Sequence, residues 1–199
     1  MASGIARETK QPLPASASCA DNSVPTPISH AAVGFAIAAW TQRRPPTRRL
    51  CLVAAACAAL PDIDVLWSPL QLADTSLLAH RAITHSLTFA LLAAAVATFI
   101  FFRGPEWTQR RARIAVVLSL ALVSHACFDA LSRYSWGVEF FAPFSLQRFR
   151  FGWQPLGDSS SLAGQLVQEA LVVLLPAVLL GWLGFKVRGR GLSPKSLSA

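Results

Sequence analysis

Charge is scarce in this chain. Of its 199 residues only 14% are charged, against 53% hydrophobic, and the mean hydropathy is +0.45. A soluble domain of this length needs more charge on its surface, so the composition points to an integral membrane protein. Cysteine is sparse as well. Its four residues form no CxxC pair, which excludes a disulfide framework and a thiolate zinc site. Cys51, Cys57 and Cys127 fall in apolar segments and read as buried free thiols. Cys19, in "ASASCAD", has no apolar stretch before it, which excludes a lipoprotein cleavage site. Residues 1–26 lack the apolar core of a signal peptide and are rich in Ser, Pro and Ala, so a mobile tail is expected there.

What is present is a series of five apolar segments separated by charge or proline: Ile28–Trp40, Leu50–Leu60, Leu87–Phe102, Ile114–Leu131 and Leu162–Phe185. They predict an all-α, polytopic membrane helix bundle of about five spans over residues 27–186. The first two are short. At 1.5 Å per residue they cover roughly 16–20 Å of a hydrocarbon core about 30 Å thick. To cross, they must draw their flanks inward, and with them His30 and Asp62.

The net charge of +8 reports orientation rather than nucleic acid, and no nucleic-acid partner is expected. Fifteen of the 18 basic residues are Arg, gathered in short loops. Segments 41–49 and 103–113 and the chain after Phe185 hold 12 of the 18, with one acid, Glu106. Five spans put all three on one side, so the positive-inside rule predicts an N-out, C-in topology with 187–199 as a basic cytoplasmic tail.

The opposite ends of the spans collect another kind of residue. His30 opens the first, "LPDID" closes the second with Asp62 and Asp64, "HRAITHS" precedes the third with His80 and His85, and "SHACFDAL" closes the fourth with His125 and Asp129. All four histidines and three of the six aspartates therefore share one face. Each fragment alone has an ordinary reading. A single His sits at many interfaces, "PDID" is a turn with a cap, Thr84 or Ser86 is an N-cap, and His125 with Asp129 is an i, i+4 pair. Together they have the composition of a metal site, since imidazole and carboxylate ligate divalent ions and one helix can offer two ligands at i, i+4. The expected metal ligands are His30, Asp62, Asp64, His85, His125 and Asp129, holding one or two divalent ions, with zinc, manganese or magnesium as candidates. Asp64, His80 and Arg81 are the expected catalytic groups: a carboxylate base if Asp64 is not ligating, His80 as general acid or a further ligand, and Arg81 as an anion contact.

The ordered set His30, Leu60–Asp64, His80–Ser86 and His125–Asp129, followed by "FFAPFS" at 140–145, resembles the YdjM-like family of predicted membrane-bound metal-dependent hydrolases. The resemblance covers about residues 26–150. It implies a bacterial or archaeal inner-membrane protein with hydrolase chemistry. Membrane lipids are expected partners. The loop "SLQRFRFGWQPLGD", with Arg148, Arg150 and Trp153, suits a headgroup zone and favours a phosphoester or lipid-linked substrate. A metal-binding module without chemistry, or a transporter, is the alternative. Glu169, the one acid deep in the fifth span, is expected to pair with an arginine or reach the metal cluster, and Pro176 to bend that helix.

Overall fold

The computed structural model describes residues 5–7, 26–42, 47–70, 72, 76–133, 137–157 and 161–189. Most of the expected tail with Cys19, Arg43 and Arg44, and the basic stretch beyond 189 lie outside the described residues.

Among these residues the five apolar segments become five helical stretches. They are α1 (Pro27–Thr41), α2 (Arg48–Ala59), α3 (Leu87–Phe101), α4 (Arg111–Ala130) and a last stretch of α5 (Leu162–Glu169), a π-helical turn (Ala170–Leu174) and α6 (Leu175–Gly189). The one addition to the helices is a ribbon in which β1 (Ile5–Arg7) pairs antiparallel with β2 (Phe149–Phe151).

Among the described residues three stretches are long and apolar enough to cross a membrane: Arg48–Trp67, Pro105–Ala130 and Leu162–Arg188. The second span is thus longer than its apolar run. Pro61 has no N–H and its ring would meet the carbonyl of Cys57, so the α ladder stops. The chain tightens, Leu60 N–H bonding Cys57 O, and runs on as a 3₁₀ helix over Leu60–Leu70, carrying Asp62 and Asp64 inward. Pro176 acts on the last stretch in a related way. The widened π turn lies just before it, where the ring would otherwise crowd the carbonyl of Val172.

Packing is that of a membrane bundle. The buried residues are small, with Ala38, Ala54, Ala58, Ala94 and Ala121 sealed inside, while Leu91, Phe99, Leu120, Leu179 and Trp182 face outward. Gly34 is where α1 meets α2. A Cβ there would lie 2.5 Å from Ala54 O and 2.6 Å from the Ala58 methyl. Successive helices alternate in direction, so Arg49, Arg113 and Arg188 gather at one end. There Arg113 and Arg188 bond the carbonyls of Thr41 and Gln42, and Arg49 lies over the rings of Phe102 and Trp107. The histidines gather at the other.

Candidate metal centre

Four pieces of chain build the histidine end, and α1 brings His30 to it. α4 supplies His125 and Asp129 from one face of its last turns, because residues four apart lie above one another. The 3₁₀ extension of α2 supplies Asp62 and Asp64. Two residues apart on a 3₁₀ helix, they point about 120° from each other, Asp62 to His125 and Asp64 to His85. Between α2 and α3 the segment 76–86 supplies the rest, ending in a short 3₁₀ turn, Ile83–His85. Ser86, not Thr84, caps α3, accepting from Phe89 N–H at 3.0 Å. Thr84 is left for the site.

Asp62, His85, His125 and Asp129 each offer one ligand atom, and these four atoms lie within 4.8 Å of one another. His125 Nε2 is 3.0 Å from His85 Nε2 and 3.4 Å from Asp62 Oδ1; His85 Nε2 is 3.1 Å from Asp129 Oδ2. The neighbours fix where the imidazole protons sit. His125 Nδ1 is 2.7 Å from Ala58 O, which can only accept, so Nδ1 carries the proton. Thr84 Oγ1 donates to Asp64 Oδ2 at 2.8 Å and so has lone pairs left to accept from His85 Nδ1, 3.0 Å away. Both rings therefore turn their Nε2 atoms toward each other and toward two carboxylates. Atoms so placed need a proton or a metal ion among them.

Charge and hydrogen bonding agree. The site holds three carboxylates, Asp62, Asp64 and Asp129, and one guanidinium, that of Arg81, whose Nε donates to Asp129 Oδ2 at 3.1 Å. With neutral imidazoles two negative charges remain, which a divalent ion matches. Buried atoms without a hydrogen bond cluster here too: Asp62 Oδ2, Asp129 Oδ1 and both ring nitrogens of His30. Buried polar atoms are ordinarily paired, so such a cluster marks a place for a ligand. The residues fit a metal of the nitrogen–oxygen class.

The other expected residues surround this group. His30 stacks on His125 with ring centroids 3.7 Å apart, its Nε2 3.4 Å from Asp129 Oδ1. Asp64 lies one layer out, behind His85. It accepts from His80 Nδ1 (2.6 Å), Arg81 N–H (3.1 Å) and Thr84 Oγ1 (2.8 Å). Arg81 takes a left-handed backbone, φ 64°, which aims its N–H at Asp64 while its carbonyl accepts from Glu139 N–H. Segment 137–149 braces this turn. Arg148 pairs with Glu139 at 3.2 Å and donates to His80 O at 3.3 Å, so it serves the turn rather than standing free over the headgroup zone. Trp153 of the same loop is exposed. Among the described residues Glu169 pairs with neither an arginine nor the cluster; it accepts from Thr26 N–H (2.5 Å) and Thr26 Oγ1 (2.8 Å) at the start of α1.

Sequence reasoning did not find three contributors. Thr84 read as a cap, Glu139 gave only the signal of an isolated acid in "GVEFFAPF", and the carbonyl of Ala58 has no signal in the sequence at all.

Comparison with known proteins agrees with this picture. The profile of the YdjM inner membrane protein family matches residues 26–191, which takes in every residue of the cluster. The inner membrane protein YbcI of Escherichia coli (strain K12) is 30% identical over 167 residues, covering 79% of this chain and 95% of that protein. No solved structure matches. With the match running through the whole bundle and its His/Asp end, the chain belongs to the YdjM inner membrane protein family and is itself an inner membrane protein.

Proposed function

We propose that the protein is a metal-dependent hydrolase acting at the extracytoplasmic face of the inner membrane on a phosphoester or lipid-linked substrate. One observation carries this reading: two imidazole nitrogens and two carboxylate oxygens converge within 4.8 Å of one another in a buried site. His85, His125, Asp62 and Asp129 would hold a divalent ion, with His30 beside them as a further ligand. When bound, such an ion supplies a water acidified toward neutrality and polarises the scissile group.

The chain's own residues supply the rest. His80, with Nδ1 on Asp64, has Nε2 for taking and returning a proton, as in a carboxylate-oriented His. Asp64 holds His80 and His85 at once, so it orients both the proton carrier and a ligand. The guanidinium of Arg81, seated against Asp129, lies beside the negative charge that hydrolysis develops.

A second reading is a metal staple without chemistry. It is favoured by the burial of three donors, since the His85 and His125 side chains are 0% exposed and that of Asp129 2%. Transport is disfavoured, because among the described residues the core below His125 is Leu122, Ala121 and Leu118 with Ala94 and Ala54, without a buried charge. The orientation is N-out, C-in across five spans. A reporter after Ala199 is expected in the cytoplasm and one near Asp74 outside it; both on one side would overturn the topology.

Metal analysis of detergent-purified protein tests the site. The wild type is expected to retain a transition metal that His85→Ala loses, and equal content in both would remove His85 from the site. Metal-loaded protein screened on phosphoesters and phospholipids then separates the readings. Metal without hydrolysis favours the staple.

A further inference from the structure

Of the four donors, Asp62 is the one that reaches the outside: its side chain is 9% exposed, against 0–2% for the others. What it reaches is not water-facing chain. Asp62 forms the polar end of a groove of about 370 Å³ between the start of α1 and the end of α2, walled by Pro27, Ala56, Ala59, Leu60, Ile63 and Leu66. That volume is at the lower end of small-molecule sites. Asp62 is its sole polar lining residue, and the residue lies within the apolar stretch Arg48–Trp67. Floor and rim differ. Ala56 and Ala59 are methyl-sized, while Leu60, Ile63 and Leu66 stand out from the surface, Leu66 at 75% exposure. Asp62 links groove and cluster through its two oxygens. Oδ1 is 3.4 Å from His125 Nε2, and Oδ2 is buried without a hydrogen bond.

We propose that this groove is a lateral docking site for a membrane phospholipid, one hydrocarbon chain lying over Ala56 and Ala59 and the phosphate meeting the donor group at Asp62. The proposal rests on the metal reading, because three aspartates would otherwise repel a phosphate. The occupant follows from the lining: a hydrocarbon wall ending at a cation site matches an amphiphile with an anionic head. Continuity with the lipid-facing surface supplies such molecules directly from the bilayer. A second and larger groove serves as contrast. It is lined by Ala31, Phe35, Ala55, Val178, Trp182 and other apolar residues, and it holds no polar group. It selects for nothing beyond a hydrocarbon chain.

The test places the full chain in phosphatidylethanolamine–phosphatidylglycerol nanodiscs. These are doped with either of two photoreactive probes carrying a diazirine on one acyl chain: a phosphatidylglycerol analogue with a non-hydrolysable phosphonate head, or diacylglycerol without phosphate. Crosslinks are mapped by mass spectrometry and metal is measured in the same sample. The ratio of phospholipid to diacylglycerol labelling is expected to be several-fold higher at Ala56–Leu66 than at Val178 and Trp182. Ala56→Phe, which fills the groove at an exposed position, is expected to abolish that excess while keeping the metal. Equal ratios at the two grooves in metal-retaining protein would overturn the groove and leave the metal reading standing. An excess that persists in wild type lacking metal would keep the lipid groove and overturn the metal reading.

Discussion

The two ends of the bundle both bury polar groups, and they do so in opposite ways. At the arginine end Gln42 has its donors and acceptors matched. The buried amide of Gln42 donates through Nε2 to Ala38 O at 3.0 Å and accepts through Oε1 from Thr47 N–H and Oγ1, both at 2.7 Å. Arg188 covers the Gln42 carbonyl. At the histidine end acceptors outnumber donors, and four of them point at one another. Both ends are hydrogen-bonded and buried, so neither property identifies a site. A matched set of polar groups is a finished structure, whereas a surplus of lone pairs is an invitation to a cation.

This contrast can be broken most sharply at Asp129. Asp129→Asn keeps the volume and removes the charge that faces His85, His30 and Arg81. Metal affinity is expected to fall by more than the roughly 10–100-fold that loss of an outer partner costs. Thermal stability in detergent should drop and fail to recover on adding zinc or manganese. With no metal role the substitution would still cost stability, because buried Arg81 loses its partner, so metal decides: an affinity equal to that of the wild type would erase the difference between the ends.

A smaller effect is expected one layer out. Asp64→Asn puts an amide where His80 Nδ1, Arg81 N–H and Thr84 Oγ1 now donate, so the proton on His85 is no longer directed to Nδ1. Metal should bind about 10–100-fold more weakly in a protein that still folds. Unchanged affinity, by equilibrium competition with a chelator, would show that Asp64 does not orient the ligand.

The smallest change in metal belongs to the other end. Gln42→Leu leaves Thr47 N–H and its hydroxyl without their acceptor and should cost about 1–2 kcal/mol of stability. Metal content should stay at the wild-type level. A loss of metal from this substitution would mean that the two ends are coupled through the core.

Much of this contrast is readable from the sequence, because it is written in residue types. The arginine loops, the five apolar segments and the i, i+4 spacing of His125 and Asp129 all survive folding nearly as written. The division of labour between Asp62 and Asp64 is half-legible. A two-residue step on any helix turns them apart, but only the positions of α4 and of segment 76–86 decide which one meets His125. The extent of the second span depends on what the chain does after Pro61, since a 3₁₀ helix continues where an α-helix cannot. The left-handed turn at Arg81 has no signal, because glycine is the residue that announces such a backbone. Glu169 stands out as an intramembrane acid, yet its partner is a backbone N–H and a hydroxyl 143 residues away.

The bond from His125 to the carbonyl of Ala58 has a consequence for anyone scanning this protein by substitution. No side-chain replacement at position 58 deletes a main-chain oxygen, so a scan would score the residue by its methyl group and miss its task. The oxygen can be moved only by moving the helix that carries it. Gly34, whose missing Cβ lets α1 lie against Ala54 and Ala58, is the place where that happens. A glycine on one helix thus sits against the turn whose carbonyl holds a histidine of another, through an atom that every amino acid shares.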